Sequence, residues 1–86
     1  MGLDIVELIL AVEDEFGIDI PNEVAATLEF VGQIQDHVVH SLREAGLQAE
    51  EREVWERVRS LVNRQLGVPL GEIKREAHLI RDLKAD

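Results

Sequence analysis

The sequence predicts an all-α fold, a small bundle of three to four helices. Three observations carry this reading. Three stretches, 3–16, 31–45 and 51–66, place apolar residues at helical spacing, and each is closed by a glycine (Gly17, Gly46, Gly67). The one β-like run, Ile18-Asp19-Ile20, is too short and isolated to serve as a strand and ends at Pro21. The chain has 86 residues, no cysteine and three aromatics, so a single domain must build a modest core from Leu, Ile and Val without disulfides or a Cys-based metal site.

The first helix is expected from Leu3 to Phe16, with Gly17 as a left-handed stop. On a wheel of 100° per residue, Leu3, Ile5, Val6, Leu8, Ile9, Leu10, Val12 and Phe16 cover roughly 220° of its circumference. So broad an arc implies packing on two sides and a single exposed acidic ridge. Glu13 falls inside the arc without a sequence-level reason. Asp4, in the first turn, suits the positive end of the helix dipole. Residues 21–27 read as one or two helical turns, started by Asn22 or Pro21.

The next helix should span Val31 to Ala45, burying Val31, Ile34, Val38, Leu42 and Ala45, with Val39 at the edge. Gly32 lies in its first turn, where a glycine costs least or where a neighbour approaches closely. His37, His40 and Glu44 share the opposite face; two histidines and one acid on an exposed helix fall short of a metal-ligand set, so no metal is expected. Residues 46–50 form a linker, which could also fray from the following helix. That helix, Glu51 to Leu66, should bury Val54, Val58, Leu61, Val62 and Leu66, flanked by Trp55. Residues 69–73 suggest one more turn. From Lys74 onward a polar loop is tacked to the core by Ala77, Leu79, Ile80 and Leu83.

The formal net charge of −9 is uneven: residues 1–50 carry eleven acids against Arg43 alone, and residues 51–86 carry seven acids and eight bases. Such a field repels nucleic-acid phosphates and anionic lipid and attracts basic surfaces, although acidity also serves solubility alone. No apolar run is long enough to span a bilayer and no basic-then-apolar leader is visible, so a cytoplasmic protein without a membrane partner is expected. There is no glycine-rich phosphate loop and no Ser/His/Asp order suggesting a nucleophile, and His78 reads as a loop contact, so an enzyme is not expected.

The run from Asp4-Ile5-Val6-Glu7-Leu8 to Phe16-Gly17-Ile18-Asp19-Ile20-Pro21 closely resembles the second helix and following loop of acyl carrier proteins. Val31-Gly32-Gln33-Ile34 resembles the start of that family's last helix. Residues 58–86, with Gln65-Leu66-Gly67-Val68 and the run Ala77 to Asp86, resemble its first helix and the long loop after it. The order is changed: in the family, the segment resembling 51–86 precedes the one resembling 1–45. The resemblance therefore implies one carrier-like domain over 1–86, circularly permuted by nature or by engineering. Residues 1–45 correspond to helices two to four, 46–50 to a linker, and 51–86 to helix one and its loop. Five linker residues reach at most ~17 Å at ~3.4 Å each; a wider gap would force a swapped homodimer instead of a monomer.

Acyl carrier proteins hold 4′-phosphopantetheine on the serine of an Asp-Ser-Leu triplet. By resemblance Asp86 matches the aspartate and Leu3 the leucine, and Gly2, or the break itself, stands at the serine. Glycine has no hydroxyl to esterify, so no prosthetic group is expected on this chain. Ser41 and Ser60 lie inside helices, away from the helix start where a phosphate is favoured. The resemblance also implies docking of Asp4, Glu7, Glu13, Asp14, Glu15 and Glu23 on basic surfaces. Such surfaces belong to a phosphopantetheinyl transferase and to acyl-transferring or acyl-modifying enzymes of fatty acid or polyketide type synthesis. The alternative is an interaction module of the same fold that never carries an arm.

Overall fold

The computed structural model describes residues 3–85. Four helices follow one another: α1 (Leu3–Phe16), α2 (Asn22–Ala25), α3 (Val31–Glu44) and α4 (Glu51–Leu66), with a 3-10 turn at Leu70–Glu72. Among the described residues there is no strand, only an antiparallel bridge between Phe30 and His78. Two helix ends show why glycine closes them. Gly17 (φ +65°) and Gly67 (φ +69°) are left-handed, a conformation that costs a side chain a Cβ clash. In that conformation Gly17 and Ile18 both donate to the Glu13 carbonyl at 2.9 and 3.2 Å, and Gly67 donates to the Asn63 carbonyl at 2.9 Å.

The helix last in the chain is central in space. α4 packs against α1, against α3 and against the 3-10 turn. Its face of Val54, Val58, Leu61 and Val62 joins Leu8 and Val12 of α1 and Ile34 and Val38 of α3 in one apolar cluster. Each such side chain contributes about 1.5–3 kcal/mol by leaving water. Five further members, Ile73, Ala77, Leu79, Leu83 and Ala85, come from the segment after α4.

That segment is ordered because it completes α3. The first N–H groups of a helix have no partner inside it. Here Val31 donates to the Ala77 carbonyl (3.1 Å) and Gly32 to the Arg75 carbonyl (2.9 Å), while Leu79 donates to the Glu29 carbonyl (2.8 Å). The Gln33 side-chain oxygen accepts the N–H groups of Glu29 and Phe30, both at 2.8 Å, closing the same end from the other side. Arg75 then lies across Gly32: a Cβ there would sit 2.9 Å from its Cζ and 3.1 Å from its Cβ. Of the two reasons for a glycine at this position, close approach is the one that holds. The Arg75 guanidinium donates to both Asp36 carboxylate oxygens at 3.1 Å, to the Gly32 carbonyl at 3.2 Å, and to the side-chain oxygen of Gln35. Gln35, the one polar residue among the buried side chains, also donates to the Glu51 carbonyl at 2.7 Å, so it joins α3 to the start of α4.

Two expectations fail locally. α3 ends at Glu44, leaving Ala45 exposed as its cap. Ile80 is 53% exposed and does not tack the loop; buried Ala85, whose N–H bonds the Leu79 carbonyl at 2.8 Å, holds that end.

Candidate functional site

α1 has the expected bounds but not the expected faces. Ile5, Leu8, Ile9, Val12 and Phe16 are buried, whereas Leu3 (70% exposed), Val6 (38%) and Leu10 (58%) face solvent. The broad apolar arc is thus covered on one flank only, and the expectation of packing on two sides is wrong. A helical wheel reports where apolar residues point, not how many neighbours reach them. Along the uncovered side Leu3, Glu7, Leu10 and Asp14 follow at spacings of four, three and four, one line on the helix surface. Val6 and Asp4 flank that line. The surface is therefore apolar and acidic in alternation, not a purely acidic ridge.

The acids read as partner-binding divide into two groups. Asp4, Glu7 and Asp14 are exposed on α1, and Glu23 is exposed on α2. Glu13 and Glu15 are occupied within the protein. The Glu13 carboxylate accepts the Ile20 N–H at 2.7 Å and ties the loop after α1 back onto the helix. This accounts for an acid within the apolar arc. Glu15 turns toward α4, where Arg57 reaches its carboxylate at 2.9 Å and its carbonyl at 3.1 Å. The same guanidinium lies 4.4 Å from the centre of the Phe16 ring. Leu3 opens α1; Gly2 and Asp86, which the resemblance places beside it, lie outside the described residues.

Two cavities flank α1. One of about 350 Å³ is lined by Val6, Ile9, Leu10, Glu13, Ile20 and Pro21 among others. The second, about 360 Å³, lies between Ile5, Ala25, Leu28, His78, Leu79 and Ile80. Sequence reasoning found neither, because each is made by segments distant in the chain; the exposed Ile80 and Leu10 at their rims are the trace they leave.

The hydroxyls present do not fit attachment of phosphopantetheine. Ser41 is half-buried inside α3 with its Oγ 3.3 Å from His37 Nε2, and Ser60 lies inside α4, so neither stands at a helix start. His40 and Glu44 pair along α3 at 2.6 Å, and no group of three His, Cys, Asp or Glu that could hold a metal occurs among the described residues. No helix among them is long and apolar enough to cross a membrane.

No protein-family model matches the chain, and no solved structure matches it. Among curated proteins, it is 50% identical over 37 residues to the mitochondrial acyl carrier protein of Saccharomyces cerevisiae, covering 43% of this chain and 30% of that protein. It is 47% identical over 37 residues to the acyl carrier protein of Helicobacter acinonychis, covering 43% of this chain and 47% of that one. The chain thus spans less than half the length of each relative. Both are named as carriers, in accord with the expectation of a protein that is not an enzyme. With this identity and a strand-free helical bundle, the chain is acyl-carrier-protein-like.

Proposed function

We propose that the protein is a docking scaffold of the acyl-carrier type, with its helices in permuted order and without a thioester arm. The observation that carries this is the α1 surface, where exposed Asp4, Glu7 and Asp14 alternate with exposed Leu3, Val6 and Leu10. Its complement is a basic surface with an apolar contact at its centre, as enzymes that transfer or modify acyl chains in fatty acid or polyketide type synthesis would present. Exposed ion pairs are individually weak, so the acids chiefly speed encounter and the apolar line holds the complex. Glu13 and Glu15 hold the bundle together and contribute only to the field.

The missing hydroxyl decides between docking and carrying. Incubation with a broad-specificity phosphopantetheinyl transferase and coenzyme A, followed by mass measurement, should show no gain for this chain. A gain is expected after Gly2→Ser, or in a rearranged chain in which residues 51–86 lead through a serine into residues 3–45. No gain in either variant would sink the carrier ancestry and leave an interaction module of the same shape. Salt-sensitive transferase binding that weakens with Glu7→Lys would support the α1 surface; binding indifferent to both would refute it.

A further inference from the structure

His78 sits at an unusual place for a histidine. Its Nδ1 accepts the backbone N–H groups of Ile80 at 3.2 Å and Arg81 at 3.0 Å, and its own N–H is accepted by the Asp82 carboxylate at 2.8 Å. This is the reciprocal arrangement of a capping box, stretched by one residue and built on an imidazole where a hydroxyl or carboxamide is usual. The turn it caps continues with Asp82 and Leu83 donating to the His78 carbonyl at 3.0 and 3.1 Å. That turn carries Leu79 and Ile80, which wall the 360 Å³ cavity beside Ile5.

The surroundings fix the tautomer. An Nδ1 that accepts two N–H groups carries no proton, so the ring proton is on Nε2, which points toward Glu29 Oε2 at 3.6 Å. The Phe30 ring meets the imidazole edge-on, with centroids 5.2 Å apart. The charged groups facing the ring are Glu29 from the segment before α3, and Asp82 with its partner Arg81 from the turn itself. α1 contributes only apolar Ile5 to this wall.

We propose that His78 is a pH-sensitive latch on this cavity: neutral, it holds the 79–83 turn closed; protonated, it releases it. Protonation places a hydrogen on Nδ1, converting the acceptor into a donor that faces two other donors. The Ile80 and Arg81 N–H groups lose their partner together, and the imidazolium is drawn toward Glu29. The wall formed by Leu79 and Ile80 then loosens while the helices, whose bonds do not involve His78, stay intact. Histidine is the side chain suited to this, since its charge changes between about pH 5 and 8. The latch does not depend on the carrier reading.

The test is amide exchange in the full chain, corrected for intrinsic rates, between about pH 8 and about pH 5, with the His78 ring titration followed by NMR. Protection at Ile80 and Arg81 should fall by about tenfold, the worth of one ordinary hydrogen bond, in step with the ring. Val38 and Val58 should keep their protection. In His78→Asn, whose carboxamide accepts the same N–H groups and does not titrate, the fall should vanish. Absence of protection at both pH values, protection that persists while the ring titrates, or an equal fall in His78→Asn would each overturn the proposal.

Discussion

Replacing Gly32 with alanine sets two effects of known sign against each other. In an open helix the change stabilises by at most about 0.5–1 kcal/mol, through the smaller entropy lost by alanine on folding. Here the new Cβ meets Arg75 Cζ at 2.9 Å and Arg75 Cβ at 3.1 Å. The guanidinium can swing away, but the Arg75 Cβ is held by the bond from Gly32 N–H to the Arg75 carbonyl. Relief therefore strains that bond or removes the arginine from Gln35, Asp36 and the Gly32 carbonyl. The half-exposed pair with Asp36 is worth about 0–1 kcal/mol. Leaving the buried Gln35 oxygen without a donor costs about 1–3 kcal/mol. The net expectation is destabilisation by about 1–3 kcal/mol, which lowers Tm by about 4–8 °C per kcal/mol in a domain of this size. Urea or thermal unfolding measures it, and Arg75→Ala supplies the control. With the arginine truncated, Gly32→Ala should turn stabilising, a reversal of sign that a double-mutant cycle detects. Stabilisation by Gly32→Ala in the otherwise unchanged chain would refute the close-approach argument.

Three further outcomes follow from single contacts. Glu13→Ala removes the acceptor of the Ile20 N–H and should destabilise by about 1 kcal/mol, with amide exchange rising in residues 17–20; unchanged exchange there counts against the tie. Arg57→Ala should cost about 1 kcal/mol through its contacts with Glu15 and Phe16, and a salt titration should recover only the Glu15 part. Asp82 is held below the ordinary carboxylate range by its hydrogen bond from Arg81 and then by the His78 N–H. A carboxylate whose pKa is lowered by folding adds stability above about pH 4 and loses it as pH falls through the lowered value. The stability difference between the native chain and Asp82→Asn should thus be present near neutrality and close toward about pH 2; a gap that widens in acid contradicts it.

Much of the fold was legible because its signals are local. The bounds of α1 and α4 follow from apolar spacing and a following glycine, signals that act within a few residues. What escaped depends on partners far along the chain. Nothing near Glu15 announces Arg57, 42 residues away, and nothing near Gly32 announces Arg75. Glu13 acts on Ile20 only after the chain reverses at Gly17, so its carboxylate first read as misplaced. The α1 surface was half-legible: its acids were evident, but the exposure of Leu3, Val6 and Leu10 depends on which neighbours reach the helix, a matter of tertiary placement. Ala85 and Ile80 exchange their expected roles for the same reason, since a turn, unlike a helix, has no period from which to read its inner side.

The central position of α4 bears on how the chain comes to be folded. α1 and α3 are synthesised first, with apolar faces that find their common partner only once residues 51–66 have left the ribosome. The cap of α3 comes later still, from residues 75–77. Folding of the first half is therefore expected to wait on the second, and a nascent chain stalled before α4 should be a sticky species and a substrate for chaperones.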